Sequence, residues 1–190
     1  MAQFEVTLAG FGGQGIMTAG QLLAYTGIEE KKQVVWLPSY GPEMRGGTAY
    51  CTVVISDTRI GSPIINNPTA ACVFNRPSFD KFSPRVKPGG LLLVNSSLID
   101  VTTDRTDITE LLIPANKIAL DAGNARVANI VILGAFIGAS KIVSYEKTVE
   151  VIRSKLGRKK EMLDINLNVL EKGFKLALDI MKKAGKKEKA

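Results

Sequence analysis

The sequence has no histidine and only two cysteines, Cys51 and Cys72. With no imidazole, and with thiols that form no C-x-x-C pair, neither a zinc site nor a cysteine-ligated iron–sulfur cluster is expected within this chain. The commonest general base is missing too, so acid–base chemistry done by the chain alone would fall to Asp, Glu, Lys or Tyr. Long apolar runs are also absent. The most apolar stretch, residues 127–139, is one buried helix long and short of the roughly 20 residues a membrane span needs. The chain does not open on a basic segment followed by an apolar core, so a signal peptide is not expected and the expected location is the cytoplasm.

What is present fits an ordinary globular domain. The 190 residues are 45% hydrophobic and 23% charged, enough for one domain with a real core. The net charge of +7 is concentrated at two places. Residues 151–160 carry five bases and no acid, and residues 182–190 carry five lysines and one acid. No aromatic or base-reading pattern accompanies these lysines, so they read as a solvated helix end and tail rather than a nucleic-acid surface.

Periodicity gives a coarse layout. Residues 4–9 read as a strand, 15–30 as a helix with Ile16, Ala19, Leu22, Leu23 and Thr26 on one side, and 33–37 as a second strand. Residues 38–47 hold two prolines and three glycines and read as a loop. The strand expected at 48–56 then runs antiparallel to its predecessor, because ten residues cannot carry a parallel crossover with a helix in it. Further strands are expected at 70–74, 91–95 and 116–120, a short helix at 76–82, and closing helices at 124–139, 145–156 and 165–183. Leu163, Leu167, Leu170, Phe174, Ala177, Leu178 and Met181 form the apolar stripe of the last helix, a packing face for the sheet or another subunit. The expected architecture is α/β: a single-domain, Rossmann-like open mixed sheet with helices on both faces over residues 1–184, then a disordered basic tail at 185–190.

Two glycine-rich segments carry the functional signal. Gly10-Phe11-Gly12-Gly13-Gln14-Gly15 has the G-x-G-x-x-G spacing between a strand and a helix. Such a turn brings bare backbone N–H groups to a ligand at a helix N-terminus, where an anion is favoured. It can equally be a tight turn without a ligand. An NAD site needs an acid capping the second strand, but that strand ends Trp36-Leu37-Pro38-Ser39. The second segment, Ser39 to Thr48, holds Ser39, Tyr40, Glu43 and Arg45. Either Glu43 and Arg45 brace the loop as an ion pair, or Tyr40 and Arg45 face a partner or an anionic substrate. The planar fork of Arg suits a carboxylate or phosphate.

The motifs GFGGQGI, SYGPEMRGGTA, Ser62-Pro63 and GNARVANIVILGAFIG together resemble the gamma subunit of 2-oxoacid:ferredoxin oxidoreductases, over nearly the whole chain. The SYGPEMRGG loop looks most like the 2-oxoglutarate branch. This resemblance implies oxidative decarboxylation of a 2-oxoacid with coenzyme A to acyl-CoA and CO2, or the reverse, with ferredoxin as electron acceptor of the complex. It implies thiamine diphosphate and iron–sulfur clusters on partner subunits, none bound by this chain alone. The partners implied are alpha and beta subunits, with delta as a further one to consider. Catalysis by the isolated chain is not expected. The resemblance makes Gly10, Gly12, Gly13, Gln14 and Gly15 candidate walls of the CoA site, and Ser39, Tyr40, Glu43 and Arg45 candidate substrate or interface residues. The apolar stretch at 127–139 and the last helix are candidate subunit contacts. A stand-alone dinucleotide-binding oxidoreductase and a non-catalytic interaction module are the competing readings.

Overall fold

The computed structural model describes residues 3–40, 47–157 and 159–187. Alternating and continuous apolar runs fold into six strands: β1 (Phe4–Phe11), β2 (Gln33–Tyr40), β3 (Thr48–Ser56), β4 (Ala70–Val73), β5 (Leu91–Asn95) and β6 (Thr109–Ile113). They form one mixed sheet in the order β2-β3-β1-β4-β5-β6. The β2–β3–β1 half is antiparallel and the β1–β4–β5–β6 half is parallel. The short connection between β2 and β3 therefore does what its length demands.

Among the described residues there are six α-helices: α1 (Ile16–Glu29), α2 (Arg76–Phe82), α3 (Ala115–Asp121), α4 (Ala128–Ser140), α5 (Tyr145–Leu156) and α6 (Lys160–Lys187). They are shared unequally between the faces. One face packs Val6, Leu8, Cys51, Val53, Leu93 and Leu111 against α1, α3, α4, α5 and α6. The other packs Ala9, Ala71, Val73, Leu92 and Val94 against Phe79 and Phe82 of α2 and the chain that follows it. The α/β class with helices on both faces is the one expected, and all five residues picked for the inner side of α1 are buried.

Three expectations are corrected. Residues 116–120 are helical, within α3, and the last strand lies earlier, at Thr109–Ile113. Pro114 sits at the junction, with fixed φ and no N–H to give a ladder, so it closes the strand and opens the helix. Ala115 and Ala119, both buried, show the helical i, i+4 repeat. Secondly, residues 38–40 are not loop, because β2 continues through Pro38 to Tyr40. Pro38 is tolerated because β2 is an edge strand, where a missing N–H need not break a ladder. Residues 41–46, with Glu43 and Arg45, lie outside the described residues, as does the end of the tail at 188–190.

The third correction concerns the apolar stretch at 127–139. It was a candidate subunit contact, but Ala128 to Gly138 are all buried within the chain, by the sheet on one side and α6 on the other. A helix apolar all round is an interior helix. The most buried residues of α6 are Asn166, Val169, Leu170, Gly173 and Ala177; Leu170 and Ala177 belong to the expected stripe, and its Leu163, Leu167, Phe174 and Met181 pack against the same core. Glycines make the contact with α4. A methyl group on Gly134 would meet the Leu170 carbonyl, and one on Gly173 would meet the Val131 carbonyl. The two helix backbones touch there, which leaves α4 a fixed platform beneath the turn described next.

Candidate functional site: the glycine turn and its two clefts

β1 ends at Phe11 and α1 begins at Ile16, with Gly15 as its N-cap. Gly13 and Gly15 have φ of +100° and +74°, a region costly for residues with a Cβ. Gly15 offers no capping side chain, and the first turn of α1 holds no acid. The first-turn amides have no partner inside the helix, and the dipole adds positive potential at the same point.

The turn is tied down on several sides. Gly12 donates its N–H to the Gly47 carbonyl at 3.0 Å. Gln14, a candidate ligand residue, folds back on its own turn. Its Oε1 accepts from the Phe11 N–H at 2.7 Å and from Asn75 Nδ2 at 3.4 Å, and its Nε2 donates to the Phe74 carbonyl at 3.4 Å. Gly10 leaves the room for this arrangement, since a Cβ there would come within 2.5 Å of Gln14 Oε1 and 2.9 Å of Phe74 Cβ. From below, Asn129 of α4 donates Nδ2 to the Gly15 carbonyl at 3.0 Å.

A cleft opens on each side of the turn. One, of about 230 Å³, is lined by Gly12, Gly13, Ile16, Met17, Tyr40 and Ala49. The other, of about 200 Å³, lies at the carboxyl ends of the parallel strands, between the turn and the start of α4. Its lining includes Gly13, Gln14, Phe74, Asn95, Asn116 and Arg126. Asn95 is fully buried and donates Nδ2 to Asn116 Oδ1 at 2.8 Å. Among the described residues lining the two clefts, Arg126 is the one charged side chain. The arrangement is positive, rich in amides and short of bases. It can bind and orient an anion.

Of the other predicted site residues, Tyr40 reaches the turn. Ala49 pairs with Tyr40 on one side and with Gly10 on the other, so the phenol stands two strands from the glycines at the same sheet edge. Ser39 belongs to the opposite face of β2 by strand alternation and is not brought to this cleft. Glu43 and Arg45 lie outside the described residues. Asn95, Asn116, Arg126 and Asn129 were not singled out from the sequence. One signal was available: a polar residue ending a buried parallel strand, as Asn95 does in Leu-Leu-Leu-Val-Asn, sits where open α/β sheets bind ligands. The sheet order also weighs against NAD. In a dinucleotide fold the acid-bearing second strand adjoins β1, whereas here β3 and β4 are its neighbours.

The two cysteines are placed on either side of Leu8, in β3 and β4. Both are fully buried. Burial pushes the Cys51 thiol up to about 12, and the Cys72 thiol is raised by burial and then by its neighbour Cys51. Two protonated, inward-facing thiols do not fit the thiolate set that an iron–sulfur cluster requires. Among the described residues no three His, Cys, Asp or Glu side chains come together in a metal-holding group, and no helix is long and apolar enough to cross a membrane.

A sequence model of the pyruvate ferredoxin/flavodoxin oxidoreductase family matches residues 5–176. The chain belongs to that family. It is 37% identical to the ketoisovalerate oxidoreductase subunit VorA of Methanothermobacter marburgensis, over 90% of this chain and 36% of that subunit. It is 36% identical to the 2-oxoglutarate synthase subunit KorC of Methanocaldococcus jannaschii, over 93% of this chain and 95% of that subunit. The chain thus spans about a third of the VorA relative and nearly all of the KorC relative. Among solved structures, the keto/oxoacid ferredoxin oxidoreductase gamma subunit of Geobacter sulfurreducens superposes with a TM-score of 0.80 at 32% identity, covering 93% of this chain and 99% of that one. The 2-oxoglutarate:ferredoxin oxidoreductase of Magnetococcus marinus, with 2-oxoglutarate, coenzyme A and succinyl-CoA bound, superposes with a TM-score of 0.85 at 25% identity, covering 93% of this chain and 31% of that one. The resemblance to gamma subunits carried by the sequence motifs is borne out.

Proposed function

We propose that this chain is the gamma-type component of a cytoplasmic 2-oxoacid:ferredoxin oxidoreductase, and that its glycine turn receives the phosphates of coenzyme A. The observation that carries the reading is the uncapped, acid-free start of α1 behind two positive-φ glycines, flanked by Arg126. Thiamine diphosphate and the iron–sulfur clusters belong to alpha and beta partners, with delta where present, and ferredoxin takes the electrons. The hard chemistry is the cofactors', so the isolated chain is inactive and its task is binding and orientation. Within the 2-oxoacids we assign 2-oxoglutarate, from the SYGPEMRGG loop and the likeness to a 2-oxoglutarate synthase subunit over 95% of its length.

The test is steady-state kinetics on the assembled complex. Gly12 and Gly15 replaced by Ala should raise the KM for CoA at least tenfold and leave the KM for the 2-oxoacid within twofold. An unchanged CoA dependence in fully assembled variants removes the assignment of the turn. Turnover with 2-oxoglutarate, pyruvate and ketoisovalerate in parallel tests the substrate. Arg45→Ala should assemble normally and turn over weakly, as expected of a group that orients an anionic substrate.

A further inference from the structure

One side chain of α4 is hydrogen-bonded to the backbone of the turn. Asn129 is 5% exposed and donates Nδ2 to the Gly15 carbonyl at 3.0 Å. The same carbonyl accepts the Ala19 N–H at 3.0 Å. Two donors therefore fix a single peptide plane. In a trans peptide the C=O and the following N–H point in opposite directions. With the Gly15 C=O drawn back along α1 and down to α4, the Ile16 N–H is turned the other way, out of the start of the helix.

The fit between Gly15 and Asn129 leaves no slack. A Cβ on Gly15 would stand 2.5 Å from Asn129 Nδ2 and 2.7 Å from its Cγ, so the amide occupies the space a side chain would need. Asn129 itself is carried on the first turn of a helix whose backbone touches α6 at Gly134 and Gly173. An interior helix would ordinarily present an apolar residue at such a position. A buried amide there carries a desolvation cost unless it is paired. Its donated bond goes to the turn and nowhere within its own helix.

We infer that Asn129 is a positioning residue for the anion cradle: it sets the aim of the α1 N-terminal amides, and through them the affinity for a phosphate-bearing co-substrate, without touching that ligand. The inference rests on the reading that coenzyme A phosphates occupy the turn. It adds to that reading a residue from a distant part of the chain, 114 positions away.

Two isosteric variants, Asn129→Leu and Asn129→Asp, test it in the assembled complex and in the purified chain. Loss of one hydrogen bond should raise the KM for CoA roughly fivefold to tenfold. The KM for the 2-oxoacid and the kcat at saturating CoA should stay within twofold. Amide hydrogen exchange of the purified chain should be faster at Ala19, which shares the Gly15 carbonyl, and unchanged through the interior of α4. Ala19 exchange at the wild-type rate overturns the inference, as does a uniform rise across the chain, and this readout stands even where a variant fails to assemble. An unchanged CoA KM in both assembled variants also overturns it, provided Gly15→Ala raises that KM. If Gly15→Ala leaves it unchanged as well, the CoA assignment of the turn has failed, and the inference falls with it.

Discussion

Adding one methyl group at Gly173 should destabilise the protein even though it improves the helix. Ala is favoured over Gly in a helix interior by about 0.8–1.0 kcal/mol. Against this stands the crossing of α4 and α6. The new Cβ would meet the Val131 carbonyl and come within 3.0 Å of Val131 C and 3.1 Å of Ala135 N. These are backbone atoms and cannot rotate away, so the helices must part. Overpacking of a well-filled site costs about 1–3 kcal/mol, and a backbone obstacle belongs at the upper end. The net loss is then about 2 kcal/mol. For a chain of this length each kcal/mol moves Tm by about 2–4 °C, giving a fall of about 4–8 °C. Gly134→Ala, which meets the Leu170 carbonyl from the other helix, should behave alike. The double variant should lose less than the sum, because the first methyl already separates the helices. Gly61→Ala is the control: nothing lies within 4 Å of its added Cβ, so the effect should stay within about 0.5 kcal/mol. Thermal unfolding followed by circular dichroism is sufficient. A Tm for Gly173→Ala equal to or above that of the wild type would refute the close crossing.

Other outcomes follow from single groups. Burial raises the pKa of the Glu5 carboxyl, but hydrogen bonds from Thr69, Lys87 and Gln3 and the charge of Lys87 outweigh it, leaving the group below its ordinary 4.5. A depressed carboxylate adds stability above its unfolded value and loses it as the pH falls through the folded one, so the Tm gap between wild type and Glu5→Gln should be full near neutrality and shrink below about pH 4.5. With the Cys51 thiol held at about 12 and Cys72 also raised, both should resist a thiol reagent in the native protein and react fully in denaturant. Asn75 caps α2 through the Ser78 N–H at 2.9 Å, so Asn75→Ala should lower the urea midpoint by the equivalent of about 1 kcal/mol.

The fold was legible wherever one period ruled a segment. β1, α1, β3, α2, β5 and α5 follow from alternation, helical spacing or a short apolar run between turn residues. The antiparallel β2–β3 pair followed from loop length alone. The failures came where two signals overlapped. Leu111, Leu112 and Ile113 run into Pro114 and then into Ile118 and Leu120, and the strand was placed one element too late. Pro38 reads as loop because it opens a run with two prolines and three glycines, whereas the edge position of β2 that tolerates it is a tertiary fact. The α6 stripe packs as expected, through Leu163, Leu167, Leu170, Phe174, Ala177 and Met181, but its seam also takes in Gly173 and Asn166, to which hydropathy assigns no inward preference.

The site divides along the same line. Glycine spacing announces a turn, since positive φ and missing side chains are properties of the residue itself. The side chains that shape the turn come from other elements, and nothing local marks them. Gln14 reads as a ligand because it sits among glycines, yet its amide is consumed by Phe11, Phe74 and Asn75. Asn129 reads as an anomaly in an apolar helix, yet it closes on Gly15. An amide in the interior has to find partners, so its place in the sequence says that a contact exists and leaves the contact unnamed. The residue type of Gly15 and that of Asn129 are therefore one constraint written at two positions: the first lacks a side chain so that the second can bring one.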